Sequence, residues 1–256
     1  MFGVVFVYAL KDYLRFSRLV AWIILGVLTF CLGLGWHALM PGVSADQRYG
    51  DVSTLMIFRI LALASAVFST SVISQEVEQR TIVYLLTRTV PRHVLLLGRY
   101  LASVVVVAAI SSFAALLLAL ATFQAGFVHH PLFWRDLATI VLAAVAYGAF
   151  FTFVSLLTNR SMLICLLFAF GWETLVPNMP GSMGRVSLVT YVQALASHPA
   201  ESGDAKFFSF ITGTLVDHDI SASAGAAFLV GVIVVCLVMA VLWFGSHEYV
   251  PREDAE

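Results

Sequence analysis

The chain has 256 residues, 61% of them hydrophobic and 11% charged, with a formal net charge of −1. A soluble domain carries about 25% charged residues, so this composition excludes a water-soluble globule, and a net charge so near zero excludes bulk attraction to nucleic acid. Several apolar runs exceed the ~18 residues that a membrane-crossing helix needs, and only a helix or a closed barrel satisfies its own backbone in lipid. The expected fold is therefore an all-α polytopic membrane protein, read as one transmembrane domain over residues 1–256.

Residues 1–18 come first. Phe2, Val5, Phe6, Ala9, Tyr13 and Phe16 can share a broad face, with Lys11, Asp12, Arg15 and Arg18 gathered at the far end. That pattern predicts an interfacial helix lying on the inner leaflet. The N-terminus itself lacks a basic n-region, and the first long apolar run is about 22 residues, longer than the ~7–15 of a signal-peptide core, so it is expected to stay in place.

Six spans are predicted. The first covers about Leu19 to Met40 and stops at Pro41-Gly42; the second covers about Val52 to Ile73. The third, about Val94 to Phe127, is longer than the roughly 20 residues a crossing requires, so it should tilt or protrude. The fourth covers about Leu137 to Leu157, the fifth about Met162 to Val176 before Pro177, and the sixth about Ala222 to Phe244. Residues 178–221 form the longest non-spanning stretch. Within it, 186–196 (VSLVTYVQALA) and 207–215 (FFSFITGTL) are apolar but too short to span. Both are expected to be short helices resting on or dipping into the outer leaflet.

Charge sets the orientation. With the N-terminus inside, Lys11, Arg15, Arg18, Arg80, Arg88, Arg92, Arg99, Arg160 and Arg252 are cytoplasmic, against Arg48, Arg135, Arg185 and Lys206 outside. This asymmetry predicts two cytoplasmic termini and an even number of spans.

The linker between spans two and three, residues 74–92, is the sizeable charged block in an apolar chain. Ser74 can cap a helix there, placing Glu76 and Glu78 in its first turn, where carboxylates complement the helix dipole. Pro91 should end that element and Arg92 start the return to the membrane. The run Glu76-x-Glu78-x-Arg80-Thr81-Ile82-x-x-Leu85-Leu86-Thr87, then Val90-x-Arg92, then Leu97-Gly98-Arg99, resembles the permease family of ABC-2 type transporters, in particular the small six-span permeases of bacterial operons. The predicted topology fits, as does span five running into Gly171-Trp172-Glu173, Pro177 and Pro180-Gly181. A common family form has Lys where this chain has Arg99, and the charge is kept.

The resemblance implies a coupling helix docked in a cleft of a separate ATP-binding subunit. Its contact surface would be Glu76, Glu78, Arg80, Thr81, Tyr84, Arg88 and Arg92. It also implies two copies of that ATPase, with ATP and magnesium bound there and no cofactor on this chain. A second permease copy, identical or related, would complete the pathway in a bacterial inner membrane, in contact with lipid. Function would be export of a lipid, a hydrophobic small molecule or a peptide. The sequence itself lacks Gly-x-x-x-x-Gly-Lys-Ser/Thr: neither Lys11 nor Lys206 follows a glycine, so the chain has no phosphate-binding loop of that kind.

Arg59 is expected about seven residues into span two, roughly 10 Å from its outer end, and Glu173 near the outer end of span five. Ionisable groups at such depth face protein or water. The two are expected at similar heights, as an ion pair that fixes span two against span five, lines a path or latches an outer gate. Gly33-x-Gly35 lies in span one and follows no strand, so it reads as a helix contact, not a nucleotide loop. Ser103, Ser111 and Ser112 read as packing or hydrogen-bond glue in span three. Trp22, Trp36, Phe133, Trp134 and Trp243 read as an interfacial belt. Cys31, Cys165 and Cys236 lie far apart in apolar runs, and His129-His130 meets no metal-ligand spacing. No catalytic residue and no metal site are expected. Two other readings remain: an ATPase-independent carrier or channel, which would want more polar groups at mid-membrane, and an intramembrane lipid-modifying enzyme, which would need a cluster of reactive groups at one depth.

Overall fold

The computed structural model describes residues 2–39, 42–78, 91–158, 160–179, 183–198 and 220–246. The described residues are almost all helical and include no strand, with six helices long and apolar enough to cross a membrane. We number these spans one to six: Ser17–Trp36, Ala45–Val72, His93–Phe123, Pro131–Leu157, Ser161–Asn178 and Ala222–Ser246. Two further helices matter here. The N-terminal helix is Phe2–Tyr13, and a cap helix, Leu188–Ala196, follows span five.

The spans match the apolar runs, with four differences. Span four begins at Pro131, before the expected Leu137, because a proline suits the first helical position and the first turns carry the polar Arg135 and Asp136. Span two begins at Ala45, before the expected Val52, because Ser44 accepts a hydrogen bond from the Gln47 N–H at 3.3 Å and caps a polar first turn. The α-helix of span three stops at Phe123 and the chain continues as a 3-10 helix, Gln124–His129, after a positive φ of 53° at Gln124. Of the two expected short helices, the first exists as Leu188–Ala196; residues 207–215 lie outside the described residues.

Span two is the most enclosed of the six, while spans one and six expose most of their surface. Ser65, Ser69, Ala62, Ala64 and Ala66 of span two are buried; such small side chains let neighbouring backbones approach closely. Gly148 of span four serves the same purpose: a Cβ there would stand 3.0 Å from Val104 and 3.3 Å from Tyr100. Tyr100 adds an inter-span bond from its hydroxyl to the Val145 carbonyl at 2.9 Å. Gly33 allows close approach of span one to Leu118 and Ala121 of span three, whereas Gly35 meets open space. Ser103 donates to the Tyr100 carbonyl of its own helix, so it does not join two spans.

The aromatic belt is only partly as expected. Trp134 is exposed, but Trp22 and Phe133 are buried, and Trp22 packs on Phe68 at 5.8 Å. The N-terminal helix packs on the start of span three, where Val5 lies 3.1 Å from a Cβ built on Gly98. Ala9 and Tyr13 are buried while Phe2 is exposed, so the packed face is narrower than the sequence suggests.

Candidate functional site

The chain places polar groups at two ends of the bundle: at the roots of the 74–92 linker, and at the opposite end, where span five meets the cap helix.

At the linker, the helix of span two continues unbroken from Phe58 to Glu78. Ser74 therefore does not begin a new helix, and Glu76 and Glu78 lie far from a first turn. Extending an existing helix costs less than nucleating another, which explains the difference. Arg80, Thr81, Tyr84 and Arg88 lie outside the described residues. Pro91 caps the next helix with φ −59° and ψ 137°, and that helix starts at Arg92, as the proline predicts.

The two roots are joined by Arg99, which the sequence offered as a cytoplasmic charge at the end of the family pattern but not as a bridge between spans. Arg99 is buried, and its guanidinium donates to the Val72 carbonyl at 2.9 Å. This fastens the start of span three to the end of span two. Tyr13 is packed nearby, edge-on to Phe68 at 5.7 Å. Burial pushes its phenol above the ordinary value.

At the opposite end, two π-helical segments stand out. Ser53–Ile57 interrupts span two and Phe168–Trp172 interrupts span five. Such segments recur at functional sites, because the extra residue re-aims the side chains beyond it. Arg59 comes within two residues of the first; Glu173 directly succeeds the second.

Arg59 donates to the Thr174 hydroxyl, joining span two to span five, and lies within electrostatic reach of Glu173. Glu173 is 2% exposed. Its Oε2 accepts from the Tyr147 hydroxyl at 3.1 Å, the Ser187 hydroxyl at 2.7 Å and the Val189 N–H at 2.8 Å, and its Oε1 accepts from the Leu188 N–H at 3.1 Å. The last two N–H groups open the cap helix, where four donors lack intrahelical partners. The carboxylate thus acts as a cap from another element, where negative charge is favoured. Arg59 was expected to pair with Glu173; its bond to Thr174 ties span two to span five, while the hydrogen bonds of Glu173 go to span four, Ser187 and the cap helix.

The other end of the cap helix is held by residues that the sequence did not single out. Asp136 of span four is fully buried. Its Oδ2 accepts from the Ser53 hydroxyl at 2.7 Å and its Oδ1 lies 2.7 Å from His198 Nε2. His198 Nδ1 lies 3.2 Å from the Thr54 hydroxyl, which donates to the Gly50 carbonyl at 2.8 Å. The His198 ring stacks on Phe58 at 5.9 Å, and Arg135 donates to the Ser197 carbonyl at 2.6 Å. His130, singled out in the sequence only as lacking metal-ligand spacing, pairs with Asp46 at 3.1 Å and stacks on Phe123 at 4.0 Å.

Each hydroxyl in these clusters donates to a carboxylate or a carbonyl. The arrangement holds helices together; it does not present an activated nucleophile. Both ends of the cap helix are pinned by a buried carboxylate, one through backbone amides and one through a histidine.

No curated protein matches the chain. A family model described as ABC-2 family transporter protein matches residues 8–249. That match takes in the linker, all six spans and both polar clusters. With that match over nearly the whole chain and six helices long and apolar enough to cross a membrane, the chain belongs to the ABC-2 family of transporter proteins.

Proposed function

We propose that this chain is the membrane-spanning subunit of an ATP-driven exporter, powered by a separate ATP-binding subunit that docks on the 74–92 linker. The observation that carries the reading is the construction of the linker roots. The helix of span two runs into the linker as far as Glu78, span three begins at Arg92, and Arg99 bonds the two spans together through Val72. A push on the linker roots at Glu78 and Arg92 is then transmitted to both spans together.

In this reading Glu76, Glu78, Arg80, Thr81, Tyr84, Arg88 and Arg92 form the contact surface, with ATP and magnesium held by two copies of the partner. The N-terminal helix lies on the cytoplasmic leaflet and both termini are cytoplasmic, in a bacterial inner membrane. The opposite end, with Arg59, Glu173 and the cap helix, is then extracytoplasmic. A second permease copy completes the path, and the exposed surfaces of spans one and six face lipid or that copy. The cargo is a lipid, a hydrophobic small molecule or a peptide, consistent with a chain that is 61% hydrophobic. ATP-driven closure of the partner subunits rocks the spans between inward-facing and outward-facing states.

The test is the charge exchange Glu78→Arg with Arg88→Glu. It should abolish stimulation of the partner's ATPase and leave membrane insertion unchanged. Full stimulation in the double variant would remove the linker from the coupling path.

A further inference from the structure

Two adjacent residues of span five direct opposite charges to opposite sides of the helix. Glu173 is buried and turns inward, with its hydrogen bonds on Tyr147, Ser187 and the first amides of the cap helix. Thr174 stands on the accessible side, where its hydroxyl donates to the Phe170 carbonyl. Arg59 reaches across from span two to that hydroxyl and is itself only half-buried. The cation is thus offered at the lateral surface of the bundle, and the neighbouring carboxylate is not. Back along the chain from Thr174 lie Phe170, Leu167 and Leu163, each more than half exposed. Their spacing keeps all of them on one face of the helix. Gly171 leaves the backbone bare beside Leu167, which lies 3.9 Å from where a Cβ would stand. The stripe from Leu163 to Thr174 is about 16 Å long at helical rise, the thickness of one leaflet in a hydrocarbon core of about 30 Å.

We infer that this face of span five, with Arg59 at its head, is a docking site for one anionic lipid. Its acyl chain lies along Leu163, Leu167 and Phe170, and its phosphate meets the Arg59 guanidinium. An apolar stripe one leaflet long that ends at a cation matches the two parts of such a molecule. Guanidinium binds phosphate through paired N–H donors. Thr174 is four residues from the end of span five at Asn178, about 6 Å, so an arginine held there reaches the headgroup layer. A second copy of this chain fits the face less well. A two-fold contact centred on the stripe sets like patches together, so Arg59 would meet the partner's Arg59. Glu173, being buried, puts no anion between them. The docking site stands apart from the exporter reading; only its assignment to the extracytoplasmic leaflet rests on that reading.

The experiment is fluorescence quenching in the full chain, in lipid nanodiscs without any ATPase, with Leu167→Trp as reporter. Leu167 lies about 10 Å along the helix from Thr174, level with the middle of an acyl chain. The bilayer is phosphatidylcholine with a minor fraction of a lipid brominated at mid-chain, either phosphatidylglycerol or phosphatidylcholine. The signal is the quenching in excess of the same protein without the reporter. One basic contact favours an anionic headgroup about fivefold, so brominated phosphatidylglycerol should quench the reporter several times more than brominated phosphatidylcholine at the same fraction. Arg59→Gln should bring the two lipids level, and Arg59→Lys should keep part of the preference. Arg185→Gln, which removes an exposed cation after span five, should keep all of it. A reporter at Val235→Trp, on the exposed surface of span six, should show no preference. The headgroup comparison and Arg59→Lys keep the test usable if Arg59→Gln fails to fold. Equal quenching by the two lipids, a preference of the same size at Val235→Trp, or one that survives Arg59→Gln would overturn the proposal. So would a Leu167→Trp reporter that neither lipid quenches, the sign of a second copy covering the face.

Discussion

Glu173→Gln isolates the charge of the carboxylate from its bulk. The carboxylate accepts four hydrogen bonds: three on Oε2, from Tyr147, Ser187 and Val189, and one on Oε1, from Leu188. A glutamine that keeps its oxygen at the three-donor position turns an N–H₂ group toward the Leu188 N–H. One buried donor loses its acceptor, at about 1–3 kcal/mol, and the remaining bonds lose their charge assistance. A net cost of about 2 kcal/mol falls on the first turn of the cap helix, which is roughly a 30-fold increase in local opening. Amide exchange at Leu188 and Val189 reads that number directly. Ser187→Ala removes a single donor and leaves the carboxylate with its backbone partners, so it should cost about half as much. Exchange at these two amides that is no faster in Glu173→Gln than in wild type would refute the capping role. Larger protection loss in Ser187→Ala than in Glu173→Gln would do the same.

The packing predicts three further outcomes. Gly33→Ala should lower thermal stability in detergent by about 1–3 kcal/mol through overpacking, because its Cβ would stand 2.9 Å from Leu118 and 3.0 Å from Ala121; Gly35→Ala, facing open space, should not. Arg99→Met keeps the buried stem but removes the bond to Val72, and it should reduce coupled ATPase activity while insertion, read by protease protection, stays normal. Tyr13 has its phenol raised by burial, so its contribution is full below the free value of about 10 and is lost as pH rises through the folded value. Opening across residues 2–13, measured as exchange corrected for its intrinsic base catalysis, should therefore rise at strongly alkaline pH, and Tyr13→Phe should remove that rise.

The spans were legible because lipid demands long uninterrupted apolar helices, and periodicity within them hardly matters. Span two was placed late by several residues because its first turns, with Asp46, Arg48 and Asp51, are polar, and only the Ser44 cap marks the start. The Ser74 prediction failed for the converse reason: a good cap residue does not start a helix that is already running. Arg59 and Glu173 were visible as charges in apolar sequence, but the partners of Glu173 were not. Two of them are backbone amides, which every residue but proline carries, so no side-chain pattern could announce them. Asp136 and His198 are 62 positions apart, one just before an apolar run and the other in the sequence between the last two apolar runs. Their nearness depends on the return of the chain after span five, which no local spacing encodes.

Purifying the tagged protein from its native membrane in mild detergent, with mass spectrometry of the co-purifying proteins, shows whether an ATPase is bound to the chain. A soluble protein with a phosphate-binding loop should follow it at near-equal stoichiometry and be lost when residues 76–88 are scrambled. A folded, correctly inserted preparation with no ATPase bound, or one whose ATPase persists after scrambling, would contradict docking on the linker.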